Sequence, residues 1–172
     1  MRWRPLKKVL DRFLETLVAA SMLVLTIDVT WQVITRFILK HPSNWTEELA
    51  TYLMIWVGLL GAAVALNRRA HLGIDYFVGR FSAKTRLIIE AAVFFIIFLF
   101  SALVMVGGGL RLVSITFTFG QLTPALRLPM GYVYLAVPVS GLFLSLYSLV
   151  FFIETLAELR RHRSDTAAPN PQ

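Results

Sequence analysis

A chain of 172 residues that is 57% hydrophobic, with a mean hydropathy of +0.68, is too apolar for an average soluble domain and too short for several independent ones. It reads as one integral membrane unit. The net charge of +7 fits cytoplasmic loops better than nucleic acid, and the lack of cysteine excludes disulfides, thiolate metal sites and a cysteine nucleophile.

Residues 1–12 carry Arg2, Arg4, Lys7, Lys8 and Arg12 beside Trp3, a cytoplasmic basic anchor with no small-residue cleavage site after it. The first span is predicted over 13–37. Asp28 sits well inside it, and Ser21, Asp28, Gln32 and Thr35 share one helical arc with Arg36 at its edge. A carboxylate at that depth costs about 2.5–3.5 kcal/mol on insertion scales, so it should face protein or water and find a partner, either Gln32 or a group on another helix. An ion or proton site is one reading of Asp28. A polar clamp between helices is the favoured one, since a lone acid without a second buried charge makes a poor relay.

A short polar turn then leads into a second span at 45–66. Asn44 is expected to cap it, with Glu47 reaching back as in a capping box. Trp45, Tyr52, Trp56 and Ala63 fall on one side, whereas Glu47, Met54, Gly58, Gly61 and Ala65 gather on the other. The spacings Gly58/Ala62 and Gly61/Ala65 let another backbone approach closely, within this chain or from a partner protein. Residues 68–81 follow as an interfacial amphipathic segment. Its Arg68, Arg69 and Arg80, with Lys84 beyond, suit anionic lipid headgroups at about 1 kcal/mol each.

The third span is predicted over 87–112, with Glu90 near the positive end of the helix dipole. Residues 111–127 read as a fraying helix end and a loop, because Ser114, Thr116 and Thr118 alternate with apolar residues and Gly120 and Pro124 interrupt. The fourth span is placed at 129–153, starting near Pro129 and kinked at Pro138. Its Gly131, Tyr134, Pro138, Gly141, Ser145 and Ser148 form one small or polar face. Residues 154–172 make a polar cytoplasmic tail whose end is expected to be disordered.

Assigning each Lys and Arg to the nearest segment between spans puts 13 on the side of the two termini and 4 on the other. Both termini should therefore be cytoplasmic. The histidines, His41, His71 and His162, all lie outside the spans, which leaves no buried haem pair, and no phosphate-cradling glycine loop is present. No catalytic, cofactor-binding or metal-ligating residues are expected, and the chain should not be an enzyme. An autonomous transporter, with repeats, broken helices and a polar midplane site, does not fit either.

The stretches WQVITRF, NWTEELATYLMIWVGLLGAAVALNRRAHLGIDYF and GQLTPALRLPMGYVYLAVPVSG together resemble the small membrane subunit of tripartite ATP-independent periplasmic (TRAP) transporters, over about residues 14–153. The specific elements are Trp45, Glu47 and Glu48, then Gly61-Ala62-Ala63, the His71, Gly73, Asp75 segment, and Pro129, Tyr134 and Pro138. The resemblance implies an all-α protein of the bacterial inner membrane, with four transmembrane helices and no cofactor. Its partners would be a periplasmic binding protein that captures an organic anion, commonly a carboxylate, and a large elevator-type membrane subunit that carries sodium and substrate. On that reading this chain is a scaffold: Asp28, Gln32 and Arg36 stabilise it, and Trp45, Glu47 and Glu48 stand near the periplasmic surface where the binding protein docks. The rival from another class is a small proton-coupled multidrug-type exporter acting as a homodimer with Asp28 as its proton site. The fixed charge bias and the long interfacial segment weigh against it. An anchor for a quinone-linked redox complex is weakened by the histidine positions.

Overall fold

Apolar runs of this length must satisfy their own backbone hydrogen bonds, and the chain does so almost entirely as helix. The structure, a computed structural model, describes residues 4–41, 43–68 and 82–167, with side chains from 9 to 161 within those segments except at 83. Helix α1 is Arg4–Phe37 and α2 is Asn44–Asn67. Helix α3 is Ala83–Phe100; it continues as a π-helical segment, Ser101–Gly108, into α4, Gly109–Thr118. A short α5, Gly131–Tyr134, precedes the long α6, Ala136–Ala167. Among the described residues four stretches are long and apolar enough to cross a membrane: Val9–Phe37, Asn44–Asn67, Lys84–Thr118 and Gly131–Arg161. This is an all-α membrane protein.

Along α1 the inward positions are Asp11, Leu14, Val18, Ser21, Leu25, Asp28, Gln32 and Thr35, while nearly everything between them is exposed. Alternating steps of three and four make an a/d seam, so α1 lies along α2 as one arm of an antiparallel hairpin. Helix α6 is the centre, packed between α2 on one side and α3 with the π-helical segment on the other. The core cluster of Leu14, Leu60, Ala63, Leu66, Tyr147 and Phe151 sits where α1, α2 and α6 meet, and Phe94 of α3 meets Phe151 in a tilted ring contact with centroids 5.4 Å apart.

The small face expected on the fourth span is used inside the chain. A Cβ at Gly141 would lie 2.6 Å from the Met105 Cβ, and one at Gly109 would lie 2.9 Å from the Pro138 ring. Ser140 and Ser148 are fully buried there and return their hydroxyls to the carbonyls of Val137 and Leu144 at 3.0 and 2.6 Å. Pro138 has no N–H for the Tyr134 carbonyl, which accounts for the break at Leu135 between α5 and α6.

Three expectations change. The third helix does not fray at 112 but runs to Thr118, because Thr116 and Thr118 bond back to the carbonyls of Leu112 and Ser114 at 2.7 and 2.9 Å and so carry their hydroxyls within a helix. Helix α2 starts one residue earlier than a capping box at Asn44 allows. Ser43, in extended conformation, is the cap residue, its hydroxyl meets that of Thr46 at 2.6 Å, and Glu47 falls one position too far along to reach back. The last helix continues to Ala167, so the tail drawn from 154 begins as helix; residues 168–172 lie outside the described residues. The interfacial segment beyond Arg68, with Arg69, His71, Asp75 and Arg80, also lies outside them.

Candidate functional site

One end of the bundle holds the α1–α2 turn and the loop from Phe119 to Met130. Helix α4 is closed off just past its end by Gly120, whose φ of +60° permits a bond from the Gln121 N–H back to the Thr116 carbonyl at 3.3 Å. The chain then closes a tight hairpin. Leu122 and Pro129 form an antiparallel bridge, the Thr123 N–H donates to the Leu128 carbonyl at 2.9 Å, and the Leu128 N–H donates to the buried Thr123 hydroxyl at 3.0 Å. A single helical turn, Arg127 N–H to Thr123 carbonyl at 3.1 Å, ends with Arg127 in the left-handed region at φ 53°.

The tip of this loop is held by a side chain from another helix. Glu48, in the first turns of α2, accepts the Ala125 and Leu126 N–H groups on Oε2 at 2.7 and 2.8 Å, and the Tyr52 hydroxyl on Oε1 at 2.5 Å. Two successive amides converging on one carboxylate oxygen form an anion-holding concavity, and here the anion is the protein's own. An open cleft of about 440 Å³ adjoins it, lined by Asn44, Glu47, Glu48, Thr51, Tyr52, Pro124, Ala125 and Met130. Trp45 and Glu47 face outward, whereas Glu48 is half-buried and turned inward. The predicted trio therefore divides: two residues belong to the surface and one to the scaffold beneath it.

The second feature is the flank of α2. Gly58, Ala62 and Ala65 are exposed and Gly61 is half-buried, in line with exposed Thr51 and Met54. A Cβ built at Gly58 or Gly61 meets nothing within 4 Å. Ala63, by contrast, is fully buried and Trp56 packs on the core, so the bulkier side of α2 faces inward and the smooth side is left uncovered.

Asp28 and Gln32 lie on the α1 seam, but they are not joined to each other. Asp28 is only 6% exposed, and its Oδ2 has no hydrogen-bond partner among the described residues. Arg36 leaves the seam; it is exposed, with its guanidinium 5.8 Å from the Phe37 ring centre. At the opposite end of the bundle Arg68 donates to Glu15 at 3.0 Å, which holds the guanidinium above its ordinary pKa. Tyr147 donates to Asp11 at 2.7 Å, and Lys84 is exposed. Among the described residues no group of histidines and carboxylates could hold a metal ion.

Sequence reasoning missed Thr123, Tyr52 and Arg127 as parts of one unit. The Thr-Pro pair announces a turn, but nothing local says that its amides meet a glutamate 77 residues earlier.

Comparison with known proteins places this architecture. Residues 22–158 match the family described as the DctQ component of tripartite ATP-independent periplasmic transporters. A sialic acid TRAP transporter small permease protein from Vibrio cholerae is 36% identical over 87 residues, covering 51% of this chain and 50% of the relative. A putative TRAP transporter small permease protein from Haemophilus influenzae is 25% identical over 156 residues, covering 87% and 95%. An isethionate TRAP transporter permease protein from Oleidesulfovibrio alaskensis is 29% identical over 134 residues, 74% of this chain but 21% of that longer relative. The match thus spans about half the length of the first of these and about a fifth of the last. On the family match, which covers most of its length, the chain belongs to the DctQ-component family, the small permease subunits of TRAP transporters.

Proposed function

We propose that this chain is the fixed scaffold of a sodium-coupled uptake system for organic anions, carboxylates above all, supporting a large elevator-type membrane subunit that receives its substrate from a periplasmic binding protein. The observation that carries the reading is the uncovered small-residue flank of α2, Gly58, Gly61, Ala62 and Ala65. In a bilayer, where apolar association has no hydrophobic drive, a smooth flank is the surface on which another helix gains most by close packing. That the partner is a larger permease is supported by the isethionate relative, in which the matched stretch is a minor part of a longer permease chain. The names of relatives carry sialic acid, isethionate and C4-dicarboxylates, each an organic anion. The bias of 13 basic residues to 4 supports an inner-membrane orientation with both termini in the cytoplasm, which sets the Glu48 loop and Trp45 on the periplasmic side.

The test is purification of the tagged chain in mild detergent from its native membrane. A large many-span protein should accompany it in near-equal amount. Gly58→Leu with Ala62→Leu should leave the chain itself folded, since Gly58 has free space above it, while releasing the large subunit and abolishing uptake. Recovery of a homodimer that moves solute alone in liposomes would overturn the scaffold reading in favour of the exporter.

A further inference from the structure

Two non-glycine residues among those described have positive φ, and both are basic: Lys40 in the α1–α2 turn and Arg127 in the Glu48 loop, each at φ 53°. A side chain in that region costs about 1–2 kcal/mol relative to a right-handed conformation, and glycine or asparagine would fill either position more cheaply. The geometry itself is imposed from outside the two residues. At Lys40 the His41 N–H reaches the Thr35 carbonyl at 3.1 Å; at Arg127 the Thr123 hydroxyl and carbonyl and the Glu48 carboxylate fix both sides of the turn. Both side chains are exposed, and neither makes an ion pair among the described residues.

They also stand at the end of the bundle where basic residues are fewest, the end that the charge bias sets outside. The acidic residues there do not balance them. Glu48 spends its carboxylate on two amides and a phenol, so the charge turned outward comes from Arg36, Lys40 and Arg127 against Glu47. A surface of that sign selects a carboxylate-bearing partner, and the planar guanidinium of an arginine on a braced loop suits a carboxylate pairwise. On the scaffold reading a soluble periplasmic protein comes to this end of the bundle, which makes it the occupant such a charge would meet.

We propose that Arg127, braced by Glu48 and with Lys40 at the same end of the bundle, is a docking contact for carboxylates on the surface of the periplasmic binding protein. This rests on the scaffold reading above and gives it a specific outer surface, with Glu48 as the positioning residue rather than a contact.

The test places the complete membrane complex in nanodiscs and measures binding of its purified cognate periplasmic protein at low and high salt. Arg127→Gly is the informative variant, because glycine relieves the strained backbone and preserves the loop while removing the charge. It should weaken binding about fivefold, and Arg127→Glu at least about tenfold, both effects shrinking as salt rises. Lys40→Gly should weaken it less. Exchange protection of the Ala125 and Leu126 amides and retention of the large subunit should stay as in the native chain. Native binding by Arg127→Gly and Arg127→Glu, with the complex intact, would overturn the docking contact and leave the scaffold reading standing. A loss seen in phosphatidylglycerol discs but absent from neutral phosphatidylcholine discs would overturn it in favour of a headgroup contact. A native chain that brings no large subunit would overturn both.

Discussion

The Tyr147 hydroxyl donates a 2.7 Å hydrogen bond to Oδ1 of Asp11, joining the last long helix to the first across 136 residues. Helix α1 otherwise leans mainly on α2, so this bond is a cross-tie that fixes α1 against the central helix. Tyr147 is buried and Asp11 half-buried, which means that Tyr147→Phe removes a donor from an acceptor with little water to replace it. The expected loss is about 1–2 kcal/mol, read as a lower thermal midpoint of the detergent-solubilised chain, and Asp11→Asn, which keeps an acceptor, should cost less.

Glu48 should be separable from the residues it braces. Glu48→Ala leaves two amides and a phenol without their acceptor, so the Ala125 and Leu126 amides should exchange at least about tenfold faster, with the rest of α5 and α6 unchanged. Glu48→Gln keeps one carbonyl oxygen and should give an intermediate rate. Equal protection in all three proteins would show that the loop is held by Thr123 and the Leu122–Pro129 bridge alone.

The difference between what was readable and what was not follows the range of the interactions. Four apolar spans and the smooth flank Gly58–Gly61–Ala62–Ala65 are properties of single helices, and periodicity displays them directly. The small face of the last helix was readable for the same reason, and it proved to be covered by Met105 and Val106. Thr116 and Thr118 misled because a hydroxyl that bonds to its own helix is invisible in a residue pattern. The eight-residue π-helical segment leaves no such signal beyond the glycines at 107–109, of which Gly109, just past its end, lets Pro138 approach closely. Glu48 was singled out as a surface group near a docking site. Its inward orientation depends on two amides contributed 77 and 78 residues later, which no local spacing could reveal.

Two glycines in spanning helices should respond oppositely to the same change. A Cβ at Gly141 would come within 2.6 Å of the Met105 Cβ and 3.2 Å of the Met105 backbone carbon, so Gly141→Ala must push α6 away from the π-helical segment, at about 1–3 kcal/mol. Nothing lies within 4 Å of a Cβ at Gly58, where Gly58→Ala should be neutral or stabilising by up to about 1 kcal/mol in the isolated chain. The comparison is a pair of thermal melts on the chain without partners. Equal destabilisation at both positions would contradict the packing of α6 against the third span.

Asp28 is the remaining buried acid. It faces the α1–α2 seam with one carboxylate oxygen unpartnered, and no second acid or base shares the described seam with it at that depth. A group that relays protons or holds sodium needs further ligands or a second charge; a group that only packs between helices does not. Asp28→Asn should therefore leave sodium-driven uptake by the whole complex within about twofold of native, and Asp28→Leu, which removes a buried polar group lacking a partner, should hold or raise the thermal midpoint of the chain by about 1 kcal/mol. The two readouts are independent: uptake abolished by Asp28→Asn in a complex that still assembles would assign the residue a part in coupling, whereas a lower midpoint of the chain with uptake intact would mean that its second oxygen has a partner within the chain itself.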